Sequence, residues 1–114
     1  MRPPMEIGVE QIDEVALIKL SGRLDAKTSP DLLKAALRLY TKSQYRNLTI
    51  DFADVSYIDT SGLATLLEIL VTAKENCAQL SLSCLSEKVR YMIDVNGLAG
   101  FFKIEPLTRE KLHV

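Results

Sequence analysis

Cysteine, histidine and tryptophan are nearly missing from these 114 residues, which hold two, one and none of them. Cys77 and Cys84 form neither a CxxC pair nor a disulfide-dense framework, so the chain reads as one working in a reducing, cytoplasmic compartment. His113, next to the last residue, has no companion ligands, and no metal site is expected. The five glycines are dispersed, and none builds the GxGxxG or GxxxxGK[ST] loop that cradles phosphates, so no cofactor is expected either. Neither sign of charge dominates: 14 Lys and Arg against 15 Asp and Glu leave a net charge of −1. Such a chain has no bulk field for nucleic acid or an anionic membrane. No apolar run approaches the roughly 20 residues of a membrane span, so membrane insertion is not expected. Met1-Arg2-Pro3-Pro4-Met5-Glu6 also lacks the pattern of a signal peptide.

What is present is ordinary for a globular domain: 47% hydrophobic and 25% charged residues. The length fits one domain over 1–114, with 1–5 loose behind Pro3-Pro4 and 107–114 as a C-terminal tail. A weak strand is expected over Glu6–Gln11, turning at Asp13-Glu14. Val15–Leu20 is apolar almost throughout, as in a central strand, and Gly22 is expected to end it. Thr28-Ser29-Pro30-Asp31 marks a helix start with Ser29 as cap, Pro30 in the first turn and Asp31 at the positive end of the dipole. Leu33, Ala36, Leu37 and Tyr40 would form its apolar face.

Leu48, Ile50 and Phe52 alternate with polar residues, a strand signature, and Asp54–Tyr57 reads as a connection. The strongest helical pattern then follows, with Leu63, Leu66, Leu67, Leu70 and Val71 on one face. Leu80, Leu82 and Cys84 predict another strand. Ser86 would cap a third helix carrying Val89, Met92 and Ile93 and stopped by Asn96-Gly97, before a last short strand over Phe102–Glu105. Strand and helix alternate three times, which predicts an α/β fold: a mixed, mostly parallel sheet of about five strands with helices packed against it, its first strand antiparallel.

No constellation for catalysis emerges. Ser61 stands at a strand-to-helix turn without a histidine to serve as base, and Asp59-Thr60-Ser61-Gly62 has only one carboxylate where aspartic-protease chemistry needs two. The protein is read as a non-enzyme. Asp, Thr and Ser are also ordinary residues for a helix start, because their side-chain oxygens accept orphan N–H groups. An exposed hydroxyl there has a second use. A phosphate added to it changes the local charge by about −1.5 to −2 while the helix dipole accommodates the anion.

At these residues the chain resembles a known family. Tyr57-Ile58-Asp59-Thr60-Ser61-Gly62-Leu63-Ala64, following Leu48-Thr49-Ile50-Asp51-Phe52, is similar to the signature of the STAS domain shared by bacterial anti-sigma factor antagonists. Leu20-Ser21-Gly22-Arg23-Leu24-Asp25-Ala26 resembles the family's L-x-G-x-L-D, and Asn96-Gly97-Leu98 with Phe101-Phe102-Lys103-Ile104 is a looser match. Together they span about residues 7–106 in the family's order.

The resemblance implies a partner-switching protein that regulates transcription indirectly. Unphosphorylated, such an antagonist binds an anti-sigma factor that is also a serine/threonine kinase of the histidine-kinase-like ATPase fold. Phosphorylation of the hydroxyl after the signature aspartate ends the interaction, and a PP2C-type phosphatase reverses it. Carried across, Thr60 is the acceptor, with Ser61 as second choice. Asp25, Asp59, Thr60, Ser61, Gly62, Leu63 and Ala64 would form the partner-binding set, Leu63 by partial exposure. The protein would be a monomer or weak dimer.

Two letters depart from the commonest D-S-S-G-L-G, since this chain reads D-T-S-G-L-A. That change defines the alternative reading, a STAS subunit of a phospholipid-transport ABC system, which carries D-T-x-G-L-A, binds the ATPase subunit and needs no kinase. Asp25 and Asp59 could flank Thr60 as a carboxylate pair or be two ordinary loop acids. Lys27, Lys88 and Arg90 read as solvated charges, and the cysteines as packing residues.

Overall fold

A computed structural model describes residues 5–105. The N-terminus expected to be loose, the expected C-terminal tail and His113 lie outside the described residues, apart from Met5, which opens a strand. The elements, in chain order, are β1 (Met5–Ile12), β2 (Val15–Leu24), α1 (Ser29–Thr41), β3 (Asn47–Ile58), α2 (Thr60–Glu75), β4 (Gln79–Ser83), α3 (Glu87–Val95), a short 3-10 turn (Ala99–Phe101) and β5 (Lys103–Glu105). They form one five-stranded sheet of order β1-β2-β3-β4-β5. β1 is antiparallel to β2, and β2 through β5 run parallel. The three crossovers through α1, α2 and α3 step the same way across the sheet, and right-handed connections place their helices on one face.

The core is built from the central strands and the helices over them: Ala16, Ile18 and Leu20 of β2, Leu48, Ile50 and Phe52 of β3, Leu80 and Leu82 of β4, with Leu32, Leu66, Ile69 and Ile93. Tyr40 is buried among them, and its hydroxyl donates to the Gln79 carbonyl at 2.8 Å. Burial pushes the ionisation of that hydroxyl upward.

Several elements differ from the sequence expectation. Gly22 does not end β2, which runs on to Leu24. Its φ of +111° suits glycine alone, and it pairs with Val55 between two register shifts. Across these, β2 advances from Lys19 to Ser21 while β3 advances from Asp51 to Asp54, and then from Gly22 to Arg23 while β3 goes from Val55 to Tyr57. Each shift inserts one extra residue into β3, a bulge that flips the side-chain alternation. The buried residues of β3 therefore step by three, Phe52, Val55 and Ile58, instead of by two. The segment Asp54–Tyr57, expected as a connection, is strand for the same reason.

Ser29 does not cap α1. The cap residue is Thr28, whose side chain makes no bond into the helix, and Ser29 is buried. The capping is done by Asp25, whose carbonyl accepts from the N–H groups of Thr28 and Ser29 at 3.2 and 2.8 Å. The buried face of α1 is Ser29, Leu32, Ala36 and Tyr40, so Leu33 and Leu37 only flank it. In α2 the buried face is Gly62, Leu63, Leu66, Ile69 and Ala73, with Thr65, while Leu67 and Leu70 are partly buried and Val71 is exposed. Cys84 lies just past β4 at a φ of +57°. The third helix follows its pattern: the Ser86 hydroxyl accepts from the Val89 N–H at 3.2 Å, Val89 and Ile93 are buried, and Gly97 at φ +70° follows the end.

Candidate functional site

β2 and β3 run parallel and finish side by side, Leu24 opposite Ile58. Just beyond that pair the two chains are tied together, since the Asp59 N–H donates to the Leu24 carbonyl at 3.3 Å. Asp25 and Thr60 are thus each one residue past the same backbone bond, on neighbouring chains. The topology brings together the two motifs that sequence places 35 positions apart (60 − 25).

Asp59 is extended and caps α2. Its carboxylate accepts from the Gly62 N–H at 3.1 Å and its carbonyl from the Leu63 N–H at 3.0 Å. Gly62 has to be glycine for space: a Cβ there would stand 2.8 Å from the Leu24 carbonyl oxygen and 2.9 Å from Ile58 Cγ1. The first turn of α2 therefore rests directly on Leu24. Thr60, the first helical residue, is exposed, and its hydroxyl has no hydrogen-bond partner among the described residues. Ser61 is half-buried. Ala64, one turn on, is exposed and continues a stripe through Thr60, Glu68 and Val71.

Leu63 is 3% exposed and belongs to the core, as its place on the apolar face predicts, so the alternative of partial exposure to a partner is not met. Gly62 is also buried. Neither can present surface to a partner; both fix the angle at which α2 leaves the sheet.

Asp25 is more constrained than an ordinary loop acid. Its Oδ1 accepts from the Lys27 N–H at 3.0 Å and the Thr28 N–H at 3.3 Å, and its Oδ2 lies 3.6 Å from Arg23 Nε. The Thr28 hydroxyl, buried beneath the loop, donates to the Arg23 carbonyl at 2.6 Å and accepts from the Asp25 N–H at 2.9 Å. Desolvation raises the ionisation of Asp25, but the hydrogen bonds from Lys27 and Thr28 and the charge of Arg23 outweigh it, so the carboxyl is held below its ordinary range.

Two further residues at this end of the sheet were not singled out from sequence. Arg23 and Tyr57 are cross-strand neighbours, and the guanidinium carbon lies 4.0 Å from the centre of the Tyr57 ring. That is a cation–π contact between a half-exposed arginine and a 40% exposed tyrosine. Tyr57 also forms one wall of an open groove of about 560 Å³ with Ser56, Ile58 and the α3 residues Glu87, Lys88, Tyr91 and Met92. No signal in the sequence pairs position 23 with 57, because the pairing depends on both bulges. Among the described residues, no cluster of three or more His, Cys, Asp or Glu side chains is arranged to hold a metal ion, and no helix is long and apolar enough to cross a membrane.

Comparison with known proteins gives this geometry its context. The anti-sigma-B factor antagonist of Listeria monocytogenes is 27% identical over 110 residues, covering 96% of this chain and 95% of the relative. The anti-sigma-B factor antagonist of Bacillus subtilis is 27% identical over 100 residues, covering 88% and 90%. The Bacillus cell fate determinant SpoIIAA in its phosphorylated form superimposes with a TM-score of 0.74 at 19% identity, over 93% of this chain and 95% of the other, a likeness of fold. The STAS domain family model matches residues 6–111, and the chain belongs to that family.

Proposed function

We propose that the chain is an anti-sigma factor antagonist that docks its partner through the joined ends of β2 and β3, and that phosphorylation of Thr60 ends the docking. One observation carries the reading: Thr60, the first residue of α2, presents an exposed hydroxyl with no partner among the described residues, and Asp25 and Asp59 stand on the adjoining strand ends. Relatives of nearly the same length are antagonists of an anti-sigma factor, and one fold neighbour is known in a phosphorylated form. The surface set is Asp25, Asp59, Thr60, Ser61 and Ala64. Gly62 and Leu63 support it from beneath.

The partner fits an anti-sigma factor that is itself a kinase of the histidine-kinase-like ATPase fold. Thr60 Oγ1 attacks the γ-phosphorus of ATP bound to that kinase. The Oγ1–P bond forms, the P–O bond to ADP breaks, and the hydroxyl proton passes to a base on the kinase. A PP2C-type phosphatase returns the hydroxyl by hydrolysis. Of the first N–H groups of α2, those of Gly62 and Leu63 are taken by Asp59, and the positive end of the helix dipole favours an added anion at its first residue. The helix therefore accepts the phosphate without unfolding. A partner surface matched to a neutral hydroxyl then meets about two additional negative charges.

The test is affinity capture of the tagged protein from its own cells, identification of bound proteins and mass spectrometry of the Thr60 peptide. The reading requires a histidine-kinase-like partner and phosphate on Thr60 in the unbound fraction. Thr60→Ala should keep the partner and block modification, and Thr60→Asp should lose the partner. An ABC ATPase partner with Thr60 always unmodified would replace this reading with the transporter-subunit alternative.

A further inference from the structure

We infer that Arg23 is the receiver of the Thr60 phosphate: on modification its guanidinium leaves Asp25 and the Tyr57 ring and pairs with the phosphate. The inference rests on the proposed modification of Thr60 and names the residue that reads it.

The geometry converges on Leu24. Its carbonyl accepts from the Asp59 N–H, and a Cβ on Gly62 would stand 2.8 Å from the same oxygen, so the first turn of α2 is seated on the residue between Arg23 and Asp25. Arg23 already reaches the loop that the Asp59–Leu24 bond joins to that turn, its Nε 3.6 Å from Asp25 Oδ2. At 54% exposure its side chain is not locked in place by packing. Its present partners are a single carboxylate, which two backbone N–H groups already satisfy, and the face of Tyr57.

A phosphate monoester offers about two charges and three acceptor oxygens where the carboxylate offers one charge and two. The planar guanidinium matches that geometry with two parallel N–H donors. The stronger anion takes the arginine. Asp25 keeps its backbone donors, so the loop holds its shape, while Tyr57 loses the cation over its ring. One modification thereby rewrites three neighbouring surface features: the hydroxyl, the charge on residue 23 and the covered face of residue 57.

The experiment uses the full chain with phosphothreonine installed at position 60 during synthesis, so that no kinase is needed. Phosphorus NMR follows the second ionisation of the phosphate with pH, and the Arg23 side-chain N–H signal is followed alongside. With Arg23 present the second ionisation should lie about half to one pH unit below its value in the Arg23→Gln chain. Arg23→Lys, which keeps the charge without the fork, should fall between. The Arg23 N–H signal should move on phosphorylation. Lys27→Gln removes an equal charge from the same loop and should shift the ionisation less than Arg23→Gln. Equal shifts from Arg23→Gln and Lys27→Gln, or none from either, would overturn the inference, because a general field or no contact would then account for the data. The amide spectra of the unphosphorylated variants confirm that each chain is folded. A receiver demonstrated here while no partner distinguishes the two forms would fail the docking proposal and leave this one standing.

Discussion

The backbone N–H of Asp59 donates to the carbonyl of Leu24 at 3.3 Å, and this one bond joins the two loops from which the candidate site is made. It also sets the distance at which the first turn of α2 passes over β2, and the closest point of that passage is Gly62. A methyl group there would lie 2.8 Å from a backbone oxygen and 2.9 Å from a core side chain, neither of which can move cheaply. Gly62→Ala should therefore destabilise the fold by about 1–3 kcal/mol, as overpacking does. Equilibrium denaturation measures the loss, and an unchanged midpoint would contradict the close packing. Helix propensity acts the other way here, since alanine is favoured over glycine inside a helix by about 1 kcal/mol. A net loss thus isolates the steric effect.

Asp59 caps α2 through its carboxylate, and the cap is separable from its charge. Asp59→Ala should cost about 1 kcal/mol of stability, whereas Asp59→Asn, which keeps an accepting oxygen, should cost much less. If docking needs only the helix start, the Asp59→Asn chain should bind the partner as well as the parent does. If docking reads the charge, the same variant should be stable and fail to bind. Thermal melts and a binding titration on one pair of variants separate the two roles.

Acid should weaken the Asp25 loop in a definite direction. The folded carboxyl ionises below its ordinary range, so it contributes stability above the ordinary aspartate value, and that contribution is lost as pH falls through the folded value. Asp25→Asn should flatten the acid limb of the stability curve below about pH 4 and change its slope little near neutrality. Denaturation midpoints of parent and variant across that range provide the measurement. Parallel curves would mean that the hydrogen bonds from Lys27 and Thr28 do not favour the charged form.

Much of the architecture was legible because local and long-range signals agreed. In α3 the Ser86 cap, the spacing of Val89 and Ile93 and the Gly97 stop all lie within a dozen residues, and each appears as expected. The resemblance singled out Thr60 as the hydroxyl after the signature aspartate, and that aspartate is the cap of α2 with Thr60 exposed beside it. What could not be read were the consequences of pairing. Gly22 reads as a terminator because glycine commonly interrupts a strand, yet here, at a positive φ, it sits between two bulges and lets β2 continue. The same bulges place Val55 on the core side and Tyr57 beside Arg23, neither of which follows from a period of two. The helical spacing places Leu63 in the core, but nothing in the sequence shows that Gly62 beside it is seated on Leu24.

Leu63 and Ala64 are adjacent in sequence but differ in environment, one 3% exposed and the other on the open stripe with Thr60. Truncating the buried member removes core contacts: Leu63→Ala should cost about 2–4 kcal/mol and lower docking only as far as it lowers the folded fraction. Ala64→Glu should leave the melting temperature within a degree or two, since exposed substitutions move stability by only about 0.5 kcal/mol. It places a carboxylate one turn from Thr60 on the surface proposed to meet the partner, where uncompensated charge is costly. Partner affinity should then fall at least about tenfold, equivalent to about 1.4 kcal/mol. Titrating the captured partner with both variants, alongside their melts, should separate surface from support. Weakened binding in Leu63→Ala at full folding, with Ala64→Glu binding normally, would move the docking surface away from the exposed stripe of α2.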